Sequence, residues 1–181
     1  MEKNHKKKKR AFLRRSYLED FKKKDDGSYS YEGEMRVCEL RGADFRRWLI
    51  SCWSRLAVAV AALVVCGCIP RTGMDGRVYI VMPFAFAVAF AVLCIWKFVT
   101  PSRSGGKLPA YRHERTVQRL AVYAAIPAIL CAMALIGLLV DLARGQSTGV
   151  LPNVAITGVL LAVAGALLVL FVARLRSAAW R

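Results

Sequence analysis

Four stretches without a charged residue dominate this chain. Val78 to Trp96 runs for 19 residues, Leu120 to Val140 for 21 and Val150 to Ala173 for 24. A helix rises 1.5 Å per residue, so ~20 residues cross a hydrocarbon core of ~30 Å. These three runs qualify on length alone. A 20.1 kDa chain is too small to bury three helices that are apolar on every side, so lipid is the expected solvent.

The fourth stretch, Leu56 to Ile69, has only 14 uncharged residues and is too short to span. Extended back to Leu49 it reaches 21 residues but takes in Arg55. Helical side chains tilt toward the helix N-terminus. With the N-terminus in the cytoplasm, Arg55 leans back toward water and can snorkel. The expected spans are therefore about 49–69, 78–99, 120–141 and 150–173.

Residues Asp44 to Leu56 also carry an amphipathic pattern. Phe45, Trp48, Leu49, Cys52, Trp53 and Leu56 recur at helical spacing, with Arg47, Ser51, Ser54 and Arg55 on the other side. Tryptophan is enriched at headgroup level. Trp48, Trp53 and Arg55, with Trp96 and Lys97 at the end of the second span, are expected to be interfacial anchors.

Charge sets the orientation. The net charge is +16, and it is unevenly placed. The N-terminal 47 residues, the loop between spans two and three, and the C-terminal tail together hold 23 Lys and Arg; the other two loops hold 3. The positive-inside rule puts both termini and the middle loop in the cytoplasm of a plasma or inner membrane. The long basic start does not read as a cleavable signal peptide.

Two parts follow: a charged cytoplasmic segment, 1–43, and a four-span domain, 44–181. Within the first, residues 1–24 carry a net +8. Lys6, Lys7, Lys8, Lys9, Arg10, Arg14 and Arg15 form an arm suited to anionic phospholipid headgroups, where each basic residue contributes about 1 kcal/mol. The arm lacks a compact base-reading motif, which points away from nucleic acid. Asp25-Asp26-Gly27 signals a turn, and Ser28 to Leu40 reads as a short hairpin or an extended stretch. Its acids, with Asp44, are expected to face the basic middle loop Arg103 to Arg119.

Small residues recur four apart in every span: Ala57 and Ala61; Ala85 and Ala89, and also Ala87 and Ala91; Ala124, Ala128 and Ala132, then Gly137; Gly158, Ala162 and Ala166, with Gly165 beside them. Close helix approach in lipid uses such residues. Pro127 should kink the third span. Pro83 and Pro152 are expected near helix starts, where proline is cheap. Asp141 is expected to pair with Arg144 and, with Asn153, Asp75 and Arg77, to line a polar pathway at the outer end.

Chemistry is otherwise sparse. Cys66 and Cys68 lie about 200° apart on a helix and cannot grip one metal. Neither catalytic pairings nor a phosphate-binding glycine loop appears. The expected fold is an all-α, four-helix transmembrane bundle with a basic cytoplasmic arm, with no cofactor, metal or catalytic residue. The expected function is a non-enzymatic accessory or structural subunit that packs against a membrane-protein partner or a second copy of itself. The alternatives are a small homo-oligomeric transporter and a tethered nucleic-acid or ribosome contact.

Overall fold

The computed structural model describes residues 21–23, 29–31, 35–40, 42–70, 72, 74, 77–109, 116–117, 119–145 and 151–178. Four long helices dominate: α1 (Gly42–Cys68), α2 (Val78–Arg103), α3 (Arg119–Ala143) and α4 (Leu151–Arg176). They hold 27, 26, 25 and 26 residues, and all four are long and apolar enough to cross a membrane. A helix satisfies every backbone group within its own segment, so sequences this apolar favour it where water is absent.

The helices pack in a ring, α1–α2–α3–α4, in which α1 and α2 approach each other least closely. Three contacts fix which ends meet. Trp48 near the start of α1 bonds the backbone of Arg174 at the end of α4. Trp53 bonds Ser102 at the end of α2. Tyr79 at the start of α2 bonds Asp141 at the end of α3. One end of the bundle therefore carries the α1 start, α2 end, α3 start and α4 end.

The buried positions step by three and four. In α3 they are Leu120, Ala124, Pro127, Cys131, Ala134, Leu138 and Asp141. In α4 they are Val154, Thr157, Leu161, Ala164, Leu168, Phe171 and Leu175. This 3.5-residue period is that of knobs-into-holes packing. It corrects the expected small-residue rows. A row with a strict step of four drifts around the helix, so Ala57, Ala61, Ala85, Ala89, Ala132, Ala162 and Ala166 end up exposed. Of the two rows expected in the second span, Ala87 and Ala91 are the buried one. Gly158 and Gly165 face α3, where added Cβ atoms would lie 3.6 Å from Leu135 and 3.5 Å from Cys131.

Three prolines lie inside helices: Pro83 and Pro101 in α2 and Pro127 in α3. Pro83 is the sixth residue of its helix, beyond the first turn where the missing N–H costs nothing, so the expectation of a cheap start does not hold there. Pro152 does fall in the first turn of α4. Pro127 is buried in the α3 seam.

Four short strands complete the described chain. β1 (Phe21–Lys23) pairs antiparallel with β2 (Tyr29–Tyr31), flanking the Asp-Asp-Gly sequence. β3 (Met35–Val37) pairs antiparallel with β4 (Lys107–Pro109), and the Cys38 N–H extends the ladder to the Gly106 carbonyl at 2.8 Å. The hairpin thus begins seven residues before Ser28, and the stretch after it reaches across to the middle loop. Gly105 and Gly106, at φ 62° and 85°, turn the chain sharply after α2 and present the β4 edge. The expected approach of this segment to the middle loop is made by backbone pairing. Glu32 and Glu34 lie outside the described residues.

Candidate functional site

At the end opposite the strands, Asp141 is fully buried in the last turn of α3. Arg77, which precedes α2, forms an ion pair with its Oδ2, and the Tyr79 hydroxyl donates to its Oδ1. The pairing closes because α2 and α3 are antiparallel neighbours. Gly137, one turn back from Asp141, lets them touch: a Cβ there would lie 2.9 Å from Ile80 Cγ1. The bond to Asp141 holds the Arg77 guanidinium's pKa above its ordinary value.

This geometry corrects the expected Asp141–Arg144 pair. The helix stops at Ala143, Gly145 turns at φ 71°, and Arg144 is left exposed. Asn153 joins neither: its Nδ2 donates to the Pro70 carbonyl at 3.0 Å and ties the α1–α2 connection to the start of α4. Arg144 thus acts on Asp141 only through its charge, and Asn153 enters a separate contact. Asp75 lies outside the described residues. The sequence placed Arg77 in the same polar group as Asp141 without pairing the two, and did not single out Tyr79. The available signal was their position at the start of the neighbouring span, level with the end of the next.

The other end is built differently. Phe98 is its hub, with ring centroids 6.1 Å from Trp48, 5.3 Å from Trp53 and 5.4 Å from Phe171. These rings fill the space where α1 and α2 stand apart. Trp48 is 1% exposed, stacks on Phe45, and donates its indole N–H to the Arg174 carbonyl at 3.0 Å. It anchors α1 to α4, not to headgroups, because its place in the 3.5-residue seam points it inward. Trp53 is half-buried and donates to Ser102 Oγ at 3.0 Å. Trp96 is 77% exposed, and Lys97 Nζ stands 5.9 Å from the Tyr123 ring on α3. Arg55 is half-buried, with Nη1 enclosed and without a hydrogen-bond partner. Pro127 lies among the core residues, and the arm from Lys6 to Arg15 lies outside the described residues.

From residue 35 onward, the described residues at this end include ten Lys and Arg against two acids, Glu39 and Asp44. Among the described residues, the opposite end has Arg77 and Arg144 against Asp141. An open cleft of about 450 Å³ lies where the strands meet α1, lined by Val37, Cys38, Leu40, Phe45 and Gly106 among others. Burial pushes the Cys38 thiol above its ordinary pKa. Among the described residues no group of His, Cys, Asp and Glu could hold a metal ion.

Between the two ends the bundle's exterior is apolar on every helix, with Val58, Phe86, Ile136 and Val159 all at least half exposed. Four helices long and apolar enough to span, with an apolar outside, give the chain the architecture of a multi-pass membrane protein. No protein-family model, curated protein or solved structure matches the chain.

Proposed function

We propose that this chain is a non-enzymatic accessory or structural subunit of a plasma or inner membrane. Its basic end lies on the anionic cytoplasmic leaflet, and its exposed helix faces pack against another membrane protein's helices. The observation that carries the reading is the charge difference between the two ends of one apolar bundle. Basic residues are retained on the cytoplasmic side during insertion and are attracted there by anionic lipid. The arm from Lys6 to Arg15 adds to the same side.

The interior supports an accessory role over transport. Among the described residues the buried polar side chains are Thr72, Asp141 and Thr157. Transporters usually keep ionisable or polar groups free to meet a substrate at membrane depth. Asp141 is instead held by Arg77 and Tyr79 at one end. The helix with the smallest buried share is α2, and it exposes Tyr79, Met82, Phe86, Leu93 and Trp96.

Crosslinking in the native membrane, followed by mass spectrometry of the tagged chain, tests this reading. A reproducible membrane-protein partner crosslinked through α2 is the expected result. Release of the full chain by carbonate washing, or labelling of a Met1 tag in intact cells, overturns it. So does an uptake activity lost in Asp141→Asn.

A further inference from the structure

The α1–α4 groove at the basic end brings two arginines together, with no counter-charge among the described residues. The core seam of α1 runs through Trp48, Cys52, Leu56 and Ala59. Trp53 leaves that seam on the α2 side, where it meets Phe98 and Ser102. At 100° per residue, Ser51 and Arg55 leave it on the opposite side, toward α4. On α4, Gly158 and Gly165 mark the flank that faces α3. Arg174 falls on the other flank, toward α1, and Arg176 on the α3 flank.

The side chains also converge along the membrane normal. Trp48 holds the Arg174 backbone at its own level, and Arg55 starts about 10 Å further into the bundle. Side chains lean toward their helix N-termini. α1 and α4 run in opposite directions, so Arg55 leans down toward the basic end and Arg174 leans up toward the bilayer. Both act electrostatically on the Cys52 thiol between them. No carboxylate among the described residues pairs with either, and Arg55 Nη1 is enclosed and unbonded.

Two guanidinium groups facing one groove at the hydrocarbon edge are costly without an anion. We propose that this groove binds the phosphate of an anionic phospholipid. Arg55 grips it from α1, Arg174 from α4, and the Ser51 hydroxyl, one turn below Arg55, donates beside them. A guanidinium fork matches two phosphate oxygens at once, and the lipid's acyl chains would lie along the apolar α1–α4 exterior. The inference rests on the membrane reading above and adds a defined site to it, separate from the arm.

The test uses the full chain in neutral detergent, titrated with phosphatidylglycerol, phosphatidylcholine or inorganic phosphate. Lipid retention is read by native mass spectrometry, and stability by thermal melting. Phosphatidylglycerol should be retained and raise the melting temperature, while phosphatidylcholine should not. Arg55→Gln and Arg174→Gln should each weaken retention roughly fivefold. Arg176→Gln, on the α3 flank of α4, should weaken it far less. Arg174 is exposed at its helix end, so its variant keeps the fold if Arg55→Gln loses it. Equal retention by the Arg174 variant overturns the site. Stabilisation by inorganic phosphate alone, matching that of the lipid, overturns the lipid as its occupant. Neither result touches the membrane assignment, which carbonate extraction tests separately.

Discussion

The two ends of this bundle are held by different physics. At the basic end, three aromatic rings from α1 and α4 gather on Phe98 of α2, and indole N–H groups bond the ends of α4 and α2. At the other end, one carboxylate, one guanidinium and one phenol join α2 to α3 over Gly137. Aromatic packing spreads its stabilisation over a large contact area and tolerates charge nearby. A buried ion pair concentrates its effect in two groups, and loss of either leaves the other stranded. The basic end can therefore carry a dense cationic surface, while the opposite end depends on a single matched pair.

The most severe test of this contrast is Trp48→Ala. It removes a buried ring and the bond to Arg174, with an expected loss of about 3–5 kcal/mol in detergent melting. A loss below 1 kcal/mol would mean that the aromatic cluster does not hold α1 to α4. Next is the ion pair. Asp141→Ala and Arg77→Ala should each destabilise, and the double variant should cost less than their sum in a double-mutant cycle. Hydrogen exchange should rise at the α2 start and α3 end and stay unchanged around Phe98. Strictly additive losses would remove the pairing.

Gly137→Val drives a methyl group against Ile80 and should cost about 1–3 kcal/mol, whereas Gly145→Ala should leave the α2–α3 contact intact. Asn153→Ala loses one bond to the Pro70 carbonyl, worth about 1 kcal/mol. The smallest effect concerns Cys38. Its raised pKa leaves less thiolate at a given pH, so maleimide labelling should trail that of exposed Cys68 at pH 8 and speed up as pH rises. Strand pairing predicts the same order for access, since Cys38 is buried beside β4. Unfolding should abolish the difference.

Much of this was legible in residues. The expected spans fall within or beside the helices, because an uncharged run of this length admits few alternatives. The inward pattern of Trp48, Cys52 and Leu56 was visible as helical spacing, although spacing does not say whether a Trp meets lipid or protein. The polar contacts were less legible. Asp141 had Arg144 three residues away, yet its partner is 64 residues earlier, because the helix ends before Arg144 can turn back. The pairing of β3 with β4 joins segments on either side of two helices, and no local pattern encodes it.

The amino-acid order by itself determined that there are four helices, where each runs, and which end carries the positive charge. Those follow from local composition: apolar runs must close their own backbone hydrogen bonds, and arginines and lysines avoid hydrocarbon. Tertiary structure decided which face of each helix turns inward and which partner each polar group takes. In α4 the buried Leu161 and Leu168 are no more apolar than the exposed Val159 and Leu170. When the surroundings are as greasy as the core, hydrophobicity cannot choose between faces, and the choice passes to fit between neighbouring helices.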